Sequence, residues 1–333
     1  MLSGRYVNFA SVVTTLVVFL AGVFWLGLYS YSAVPVSARE ALQALFAPDL
    51  SQMAHIVVLD IRLPRVLEAG LIGASLACAG TLMQALTRNP LASPSLFGVN
   101  AGAALGMALV STVFISNSPL STSLAAMLGG FVAWTLVMIL GGAWRMGAER
   151  GQLVLAGIAV SALCGALTKA CVILVEDQAV AVMGWLAGSF ANAGWDTWHA
   201  SWPVLVPTLF CGFVLTPKIN LLVMGDERVK SLGVNLGLLR ALIALIVLIL
   251  VGISVSSVGA IGFVGLIVPH IAKALVGFDH RKTLPVAMLI GAVLTVSADV
   301  LSRAVTFPTE TPAGAVLALI GAPFFLYLVR RKV

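Results

Sequence analysis

Charged residues are scarce in this chain. Only 10% of its 333 residues are Asp, Glu, Lys or Arg, 60% are hydrophobic, and the mean hydropathy is +1.07. A soluble protein of this size would need more polar surface to face water. The repeated apolar runs instead have the length of about 20 residues that crosses a bilayer. The composition therefore predicts an all-α polytopic membrane protein, with residues 1–333 forming a single transmembrane domain.

The patterns of disulfide, metal and nucleotide sites are also missing. All four cysteines fall inside apolar runs, which excludes a disulfide framework and a CxxC metal site. The four histidines have neither HxxxH nor HExxH spacing, so we expect no metal site and no cofactor. Because the chain has no GxxxxGK(S/T) loop, any ATP must be bound by another polypeptide. It also has no Ser/His/Asp or paired-carboxylate constellation in a plausible site, so we do not expect an enzyme.

Ten apolar segments are candidates for transmembrane helices. Between the first two, Pro35–Ala47 carries the capping-box pair Ser37 and Glu40 and is predicted to form a helix at the outer membrane surface. The eighth segment is short, and Val180–Trp195 is too broken for another crossing. The ten segments are Phe9–Tyr29, Val66–Leu86, Ser95–Ile115, Thr122–Gly142, Gln152–Val175, Trp198–Leu215, Leu238–Val258, Phe263–Val276, Leu284–Val305 and Ala313–Val329.

Small residues recur at helical spacing in the second and third segments. They occupy every fourth position, at Ala69, Gly73 and Ala77 and at Gly98, Gly102 and Gly106. Lipid is as apolar as the helices, so membrane helices associate through close backbone approach at such residues. The spacing therefore predicts closely packed helices.

The longest polar interruption runs from Thr216 to Arg240. We expect its centre to form a short amphipathic helix outside the lipid, with Asp226 and Glu227 near its start and Gly233 as its stop. An even number of crossings places both termini on the same side as this segment, and most of the 19 lysines and arginines fall there. The positive-inside rule then predicts that both termini are cytoplasmic. The basic balance thus reflects topology and not nucleic-acid binding.

Ordered strings over nearly the whole chain resemble the permease family of iron-siderophore and vitamin B12 ABC importers. These strings are Arg62–Arg65, Gly73–Ala77, Gly80–Gln84, Arg88–Asn100, Leu155–Ala159, Leu232–Val234, Gly259–His270, Ala298–Arg303 and Pro312–Pro323. Within the family, Leu71–Ala77, Ala187–Gly188 and Gly277–Asp279 are most similar to ferric-citrate permease subunits. So many strings in order are far more specific than any single glycine motif.

The resemblance implies a type II ABC importer permease with ten transmembrane helices, in the bacterial inner membrane. The implied partners are a second permease subunit, an ABC ATPase dimer and a periplasmic substrate-binding protein. A permease heterodimer is favoured because ferric-citrate-like systems resemble heterodimers, and a homodimer stays open. The implied cargo is ferric citrate or a related siderophore, with vitamin B12 or heme as the alternative.

The resemblance also implies contacts with the binding protein. Arg62, Arg65 and Arg303 match arginines that meet its acidic residues, and a guanidinium can bind a carboxylate through two parallel hydrogen bonds. For Arg303, pairing with Asp299 four residues earlier is an equally good interpretation. Snorkelling at helix ends is the simpler alternative for all three.

Two further groups of residues match functional positions of the family. Asn89 and Leu91 match an inner gate loop, although turn chemistry alone would also explain them. The ATPase-coupling residues would be Asp226, Glu227, Arg228, Leu232 and Gly233. Runs of charge are usually solvated surfaces, so an ordinary loop is the alternative here.

Lys169 is unusual because it lies inside the fifth segment, where a cation is costly. We favour snorkelling toward Glu176 and Asp177, but Lys169 could also face the substrate path and attract an anionic chelate. A gradient-driven secondary transporter is the competing functional class, and it would need an ionisable group near mid-membrane. The candidates Lys169, Glu68 and Asp299 all lie toward the outer ends of their segments, which favours an ATP-driven pore.

Overall fold

The computed structural model describes residues 8–112, 119–142, 150–173, 187–223 and 225–331. Within these ranges every regular element is a helix, which confirms the predicted all-α class. The elements are α1 (Phe9–Tyr29), α2 (Ala38–Phe46), α3 (Met53–Ile56), a π-helical turn (Val57–Arg62), α4 (Leu63–Thr87), α5 (Val99–Thr112), α6 (Pro119–Leu140), α7 (Arg150–Ile173), α8 (Trp195–Val214), α9 (Thr216–Val223), α10 (Asp226–Ser231), α11 (Leu236–Val258), α12 (Val264–Val276), α13 (His280–Val305) and α14 (Ala313–Arg331).

Several helices have the length and composition of membrane spans. In the part of the chain that the structure describes, six helical stretches qualify, and the pair α8 and α9, bent by 52°, makes a seventh. Helices α3 and α4 with the π-helical turn count as one stretch of 35 residues. Helices α5 and α12 and the Ala313–Leu328 part of α14 are shorter apolar helices. The chain is therefore a multi-pass membrane protein.

Helix α4 runs through the centre of the bundle. It packs antiparallel to α13, since Arg65 meets Asp299 and Gly73 meets Gly291, and it also contacts α8, α11 and α12. A Cβ atom at Gly73 would collide with the Thr295 side chain and the Gly291 backbone, and one at Gly80 would collide with the Gly265 backbone. These collisions mean that the backbones touch, which confirms the close packing predicted from the small-residue spacing.

The second small-residue row packs α5 against α6. Added Cβ atoms at Gly102 and Gly106 would collide with the backbone of Gly129 and Ala125, respectively. The backbones of α5 and α6 therefore touch at this row, as those of α4 and α13 do at the first row.

Several helices begin a few residues away from the predicted position, and two of these differences have a clear physical reason. The third segment was predicted from Ser95, but α5 begins four residues later because the chain first turns through Gly98 with a φ of 75°. The second segment was predicted from Val66, but α4 begins at Leu63. Pro64, which has no N–H to donate, is the second residue of α4 and lies directly after the π-helical turn. As a result, the arginines of this stretch lie on helical backbone.

The bundle has two chemically different ends. We call the end that holds α9, α10 and the C-terminus of α4 the basic end, and the opposite end the far end. Helix α2 lies at the far end with its predicted capping box, in which the Ser37 N–H donates to Glu40 at 2.8 Å and the Glu40 N–H to Ser37 at 3.2 Å. The hydrogen bond from the Ser37 N–H holds the pKa of Glu40 below its ordinary value.

The polar interruption contains two short helices instead of the one predicted. Helix α10 is the predicted element, and α9 was not expected. Gly233, with a φ of 72°, ends α10, and the Val234 N–H donates to the Val229 carbonyl at 3.3 Å. This is the left-handed glycine stop that the sequence predicts.

Candidate functional site

A buried ion-pair network lies at the far end. The Asp299 carboxylate accepts hydrogen bonds from Arg65 Nε at 2.9 Å and Arg303 Nη2 at 3.2 Å. Arg65 also donates through Nη1 to both oxygens of Glu310, at 3.1 and 2.9 Å. These bonds join the start of α4 to the end of α13 and to the connection that follows α13. They are the charge-assisted, forked bonds for which a guanidinium is suited.

Two of the arginines also hold the C-terminal end of α1. Arg303 donates to the carbonyls of Ser30 at 2.8 Å and Gly27 at 3.2 Å, while Arg62 Nη2 donates to the Tyr31 carbonyl at 3.0 Å. The last carbonyls of a helix have no partner within the helix, and a cation near them is favourable. The arginines therefore fix the end of α1 against the π-helical turn and α13.

We call Arg62, Arg65, Asp299, Arg303 and Glu310 the far-end cluster. Its three arginines are 4%, 4% and 1% exposed in chain order, whereas the Glu310 side chain is 33% exposed. The pairing of Arg303 with Asp299, one of the two predicted interpretations, is present. Arg62 Nε and Nη1 are buried and have no hydrogen-bond partner among the described residues. The cluster carries three cations and two anions. Arg65 and Arg303 are paired with the two carboxylates, so the excess positive charge is that of Arg62.

The predicted gate residues occupy a tight turn at the basic end. The Leu91 N–H donates to Asn89 Oδ1 at 3.0 Å, and the Ala92 N–H donates to the Asn89 carbonyl at 3.1 Å. Both candidate side chains are half-buried. The turn chemistry considered as the alternative is thus present, and it places a polar and an apolar side chain together at this end.

Beyond the turn, two irregular stretches meet inside the bundle. Asn100 Nδ2 donates to Ser95 Oγ at 3.0 Å and to the Ile261 carbonyl at 3.2 Å. Ile261 lies in the break between α11 and α12, where Phe263 has a φ of 65°. Irregular backbone at membrane depth is tolerated where protein covers it. The sequence signalled this contact only as an asparagine at the start of an apolar segment.

Helix α10 is amphipathic. Asp226 and Glu227 form its first turn, Val229 is fully buried, and Arg228 and Leu232 are exposed. A groove is lined by Leu221, Arg228, Ser231 and Leu232. An exposed leucine beside an arginine in a groove is suited to contact with another protein.

A polar contact that the sequence did not predict joins α9 to the start of α13. Asn220 Nδ2 donates to Asp279 Oδ1 at 2.6 Å, and the His280 N–H donates to Asn220 Oδ1 at 2.9 Å. Burial raises the pKa of Asp279, but hydrogen bonds from the Arg281 N–H and Asn220 outweigh it, so the pKa lies below its ordinary value. Asp279 is also the N-cap of α13, where an ionised carboxylate is favourable.

Lys169 is exposed on α7, and its suggested partners Glu176 and Asp177 lie outside the described residues. The candidate Glu68 is fully buried and accepts a hydrogen bond from Ser201 Oγ at 2.7 Å. Among the described residues, no group of three His, Cys, Asp or Glu side chains could hold a metal ion.

The chain is similar to known transport permeases. The Fe(3+) dicitrate transport system permease protein FecC of Escherichia coli (strain K12) is 50% identical over 314 residues, covering 93% of this chain and 94% of the relative. The hemin transport system permease protein HmuU of Yersinia pestis is 40% identical over 278 residues, covering 82% and 83%. Both are named as transport permeases and not as enzymes.

The fold is also similar to that of a solved ABC transporter. A solved inward-facing structure assigned to the metal-chelate type of ABC transporter matches with a TM-score of 0.80 and 30% identity, covering 97% of this chain and 99% of the other. The family model described as the FecCD transport family matches residues 13–331. The resemblance found in the ordered strings is therefore confirmed, and the chain belongs to the FecCD transport family.

Proposed function

We propose that this chain is the permease subunit of an ABC importer that moves a ferric chelate, ferric citrate or a related siderophore, from periplasm to cytoplasm. The observation that carries the proposal is the 50% identity, over 93% of the chain, to a permease named for Fe(3+) dicitrate. Vitamin B12 or heme is the alternative cargo, and the 40% identical hemin permease supports heme. The chain would cross the bacterial inner membrane and form one transmembrane domain over residues 1–333.

The helices of the described residues support ten crossings. Six long apolar stretches, one bent pair and three shorter apolar helices together make the predicted ten. The shorter helices α5 and α12 follow irregular stretches that lie inside the bundle, so each can complete a crossing together with that stretch. With ten crossings and the distribution of basic residues, both termini and the basic end are cytoplasmic. This corresponds to the type II importer architecture.

The two ends then have different partners. At the basic end, the coupling segment (residues 216–240) would dock the ATPase dimer. Helix α10, with Asp226, Glu227 and Arg228, and the residues Leu232 and Gly233 that follow it would lie in the ATPase cleft. A buried valine and an exposed arginine and leucine suit a helix that docks while staying attached to the bundle. At the far end, the arginine-rich cluster would receive the periplasmic substrate-binding protein.

The path would run between this chain and a second permease subunit, for which we favour a diverged partner. Asn89 and Leu91, repeated in that partner, would close the path on the cytoplasmic side. Lys169 is exposed in the single subunit and would line the path if α7 faces the partner. A cation there would attract an anionic iron chelate.

Reconstitution tests the proposed function directly. The importer, with its ATPase and binding protein, is placed in sealed vesicles, and uptake of ferric citrate is compared with uptake of heme and cobalamin. We expect ferric citrate to accumulate only with ATP. Uptake that is independent of ATP and follows an imposed proton or sodium gradient would instead establish a secondary transporter. Preferential uptake of heme or cobalamin would show that the alternative cargo is the correct one.

Docking at the far end is tested at Arg62. The Arg62→Gln substitution removes the excess positive charge of the far-end cluster. It also removes the hydrogen bond from the Arg62 side chain to the Tyr31 carbonyl. We expect about a tenfold loss of affinity for the binding protein, or about 1.4 kcal/mol, because the buried positive charge of Arg62 would no longer attract its carboxylates to the far end. The measurement is a titration of the reconstituted importer with binding protein.

The matched control is Arg39→Gln, which removes an exposed arginine from α2 at the same end. We expect its affinity to stay near that of the unaltered chain. If Arg62→Gln also binds normally, the far-end arginines only hold helices together and docking must be assigned elsewhere.

A further inference from the structure

Arg88 lies where α4 gives way to the predicted gate turn. It caps α4, and its N–H donates to the Ala85 carbonyl at 3.3 Å. Its φ of 48° is left-handed, which is uncommon for any residue other than glycine, asparagine or aspartate. The next residue is Asn89, so Arg88 is joined directly to the gate turn.

The Arg88 side chain reaches a distant part of the chain. Its Nε donates to the Leu222 carbonyl at 2.7 Å, across 134 residues of sequence. Leu222 is in the last turn of α9 and is 2% exposed. Helix C-terminal carbonyls lack partners within the helix, and a guanidinium both donates to them and complements the helix dipole. Arg88 is therefore a C-terminal cap of α9 supplied by another helix.

Helix α9 is held on a second side. Asn220, two residues before Leu222, makes the hydrogen bonds to Asp279 and His280 at the start of α13. Helix α10 begins three residues after α9 ends. A short helix tied at both sides transmits a displacement of its neighbour more directly than a loose loop can.

We propose that Arg88 is a positioning residue that carries motion of the coupling helix α10, through α9, to the gate turn at Asn89. The inference rests on the proposed function, in which an ATPase moves α10. Physical coupling of this kind predicts a specific defect. If the Arg88 contact is lost, the ATPase continues to cycle while the gate turn no longer follows it.

The test measures ferric citrate uptake and ATP hydrolysis in the same vesicles that hold the complete importer. For Arg88→Met we expect ATP hydrolysis, stimulated by loaded binding protein, to stay within about twofold. Uptake per ATP should fall by about tenfold, since an uncoupled cycle wastes nucleotide. Arg88→Lys keeps the cation and should recover part of the ratio. The control Lys282→Met removes an exposed cation near the basic end and should leave the ratio unchanged.

The ratio separates the outcomes. An unchanged ratio in Arg88→Met overturns the inference, whether both rates are normal or both fall in proportion, because a purely structural residue would act on both. If Arg88→Met is too unstable to purify, the same criterion applies to Arg88→Gln, which also removes the cation. Uptake by the unaltered importer that ignores ATP overturns the proposed function and this inference together, which distinguishes that failure from a failure at Arg88 alone.

Discussion

Replacing Asp299 by alanine is expected to lower the stability of the folded permease by about 3–5 kcal/mol. Asp299 is 1% exposed, and its carboxylate is the shared partner of Arg65 and Arg303. Without it, the buried guanidinium groups of Arg65 and Arg303 lose their shared negative partner. A buried charge without a partner is strongly destabilising. Arg65 keeps Glu310, so the network is damaged and not abolished. Thermal unfolding in detergent measures the difference.

The control is Asp60→Ala, the same change at an exposed carboxylate of the π-helical turn at the far end. A surface substitution of this kind should stay within about 0.5 kcal/mol. Asp299→Asn should lie between the two, because the amide keeps one acceptor but loses the charge. Equal unfolding midpoints for Asp299→Ala and Asp60→Ala would contradict the buried network.

Replacing Gly73 by alanine should destabilise the bundle by about 1–3 kcal/mol, although alanine is the better helix former. The added methyl group would collide with the Gly291 backbone and the Thr295 hydroxyl. That hydroxyl donates to the Ala69 carbonyl at 2.7 Å, so moving it costs a buried hydrogen bond as well. The two backbones must separate, which loosens the α4–α13 contact. The unfolding midpoint is the measurement.

Gly22→Ala provides the matched comparison. Gly22 lies in the middle of α1, and a Cβ atom there meets nothing within 4 Å. We therefore expect Gly22→Ala to be neutral or stabilising by up to about 1 kcal/mol. If Gly73→Ala behaves the same way, the backbones of α4 and α13 do not touch as the structure indicates.

Local signals predicted local structure well. The capping box at Ser37 and Glu40 and the glycine stop at Gly233 form as predicted, because each depends on a few neighbouring residues. Helix α9 was not predicted. Its eight residues follow the apolar α8 directly, so only the bend between the two separates them. The predicted start of α5 at Ser95 was too early, because Gly98 turns the chain before the helix can begin.

The sequence by itself determined that this is a helical membrane protein, roughly where its helices lie and, through ordered strings, which family it belongs to. Only the tertiary structure decided what the polar residues contact. Arg65 meets Asp299 across 234 residues of sequence and Arg88 meets Leu222 across 134. The physical reason is that helices in lipid are apolar on nearly every face, so hydrophobic pattern does not select their neighbours. Close packing of small residues and the pairing of buried polar groups make that selection, and both require the helices to be in place.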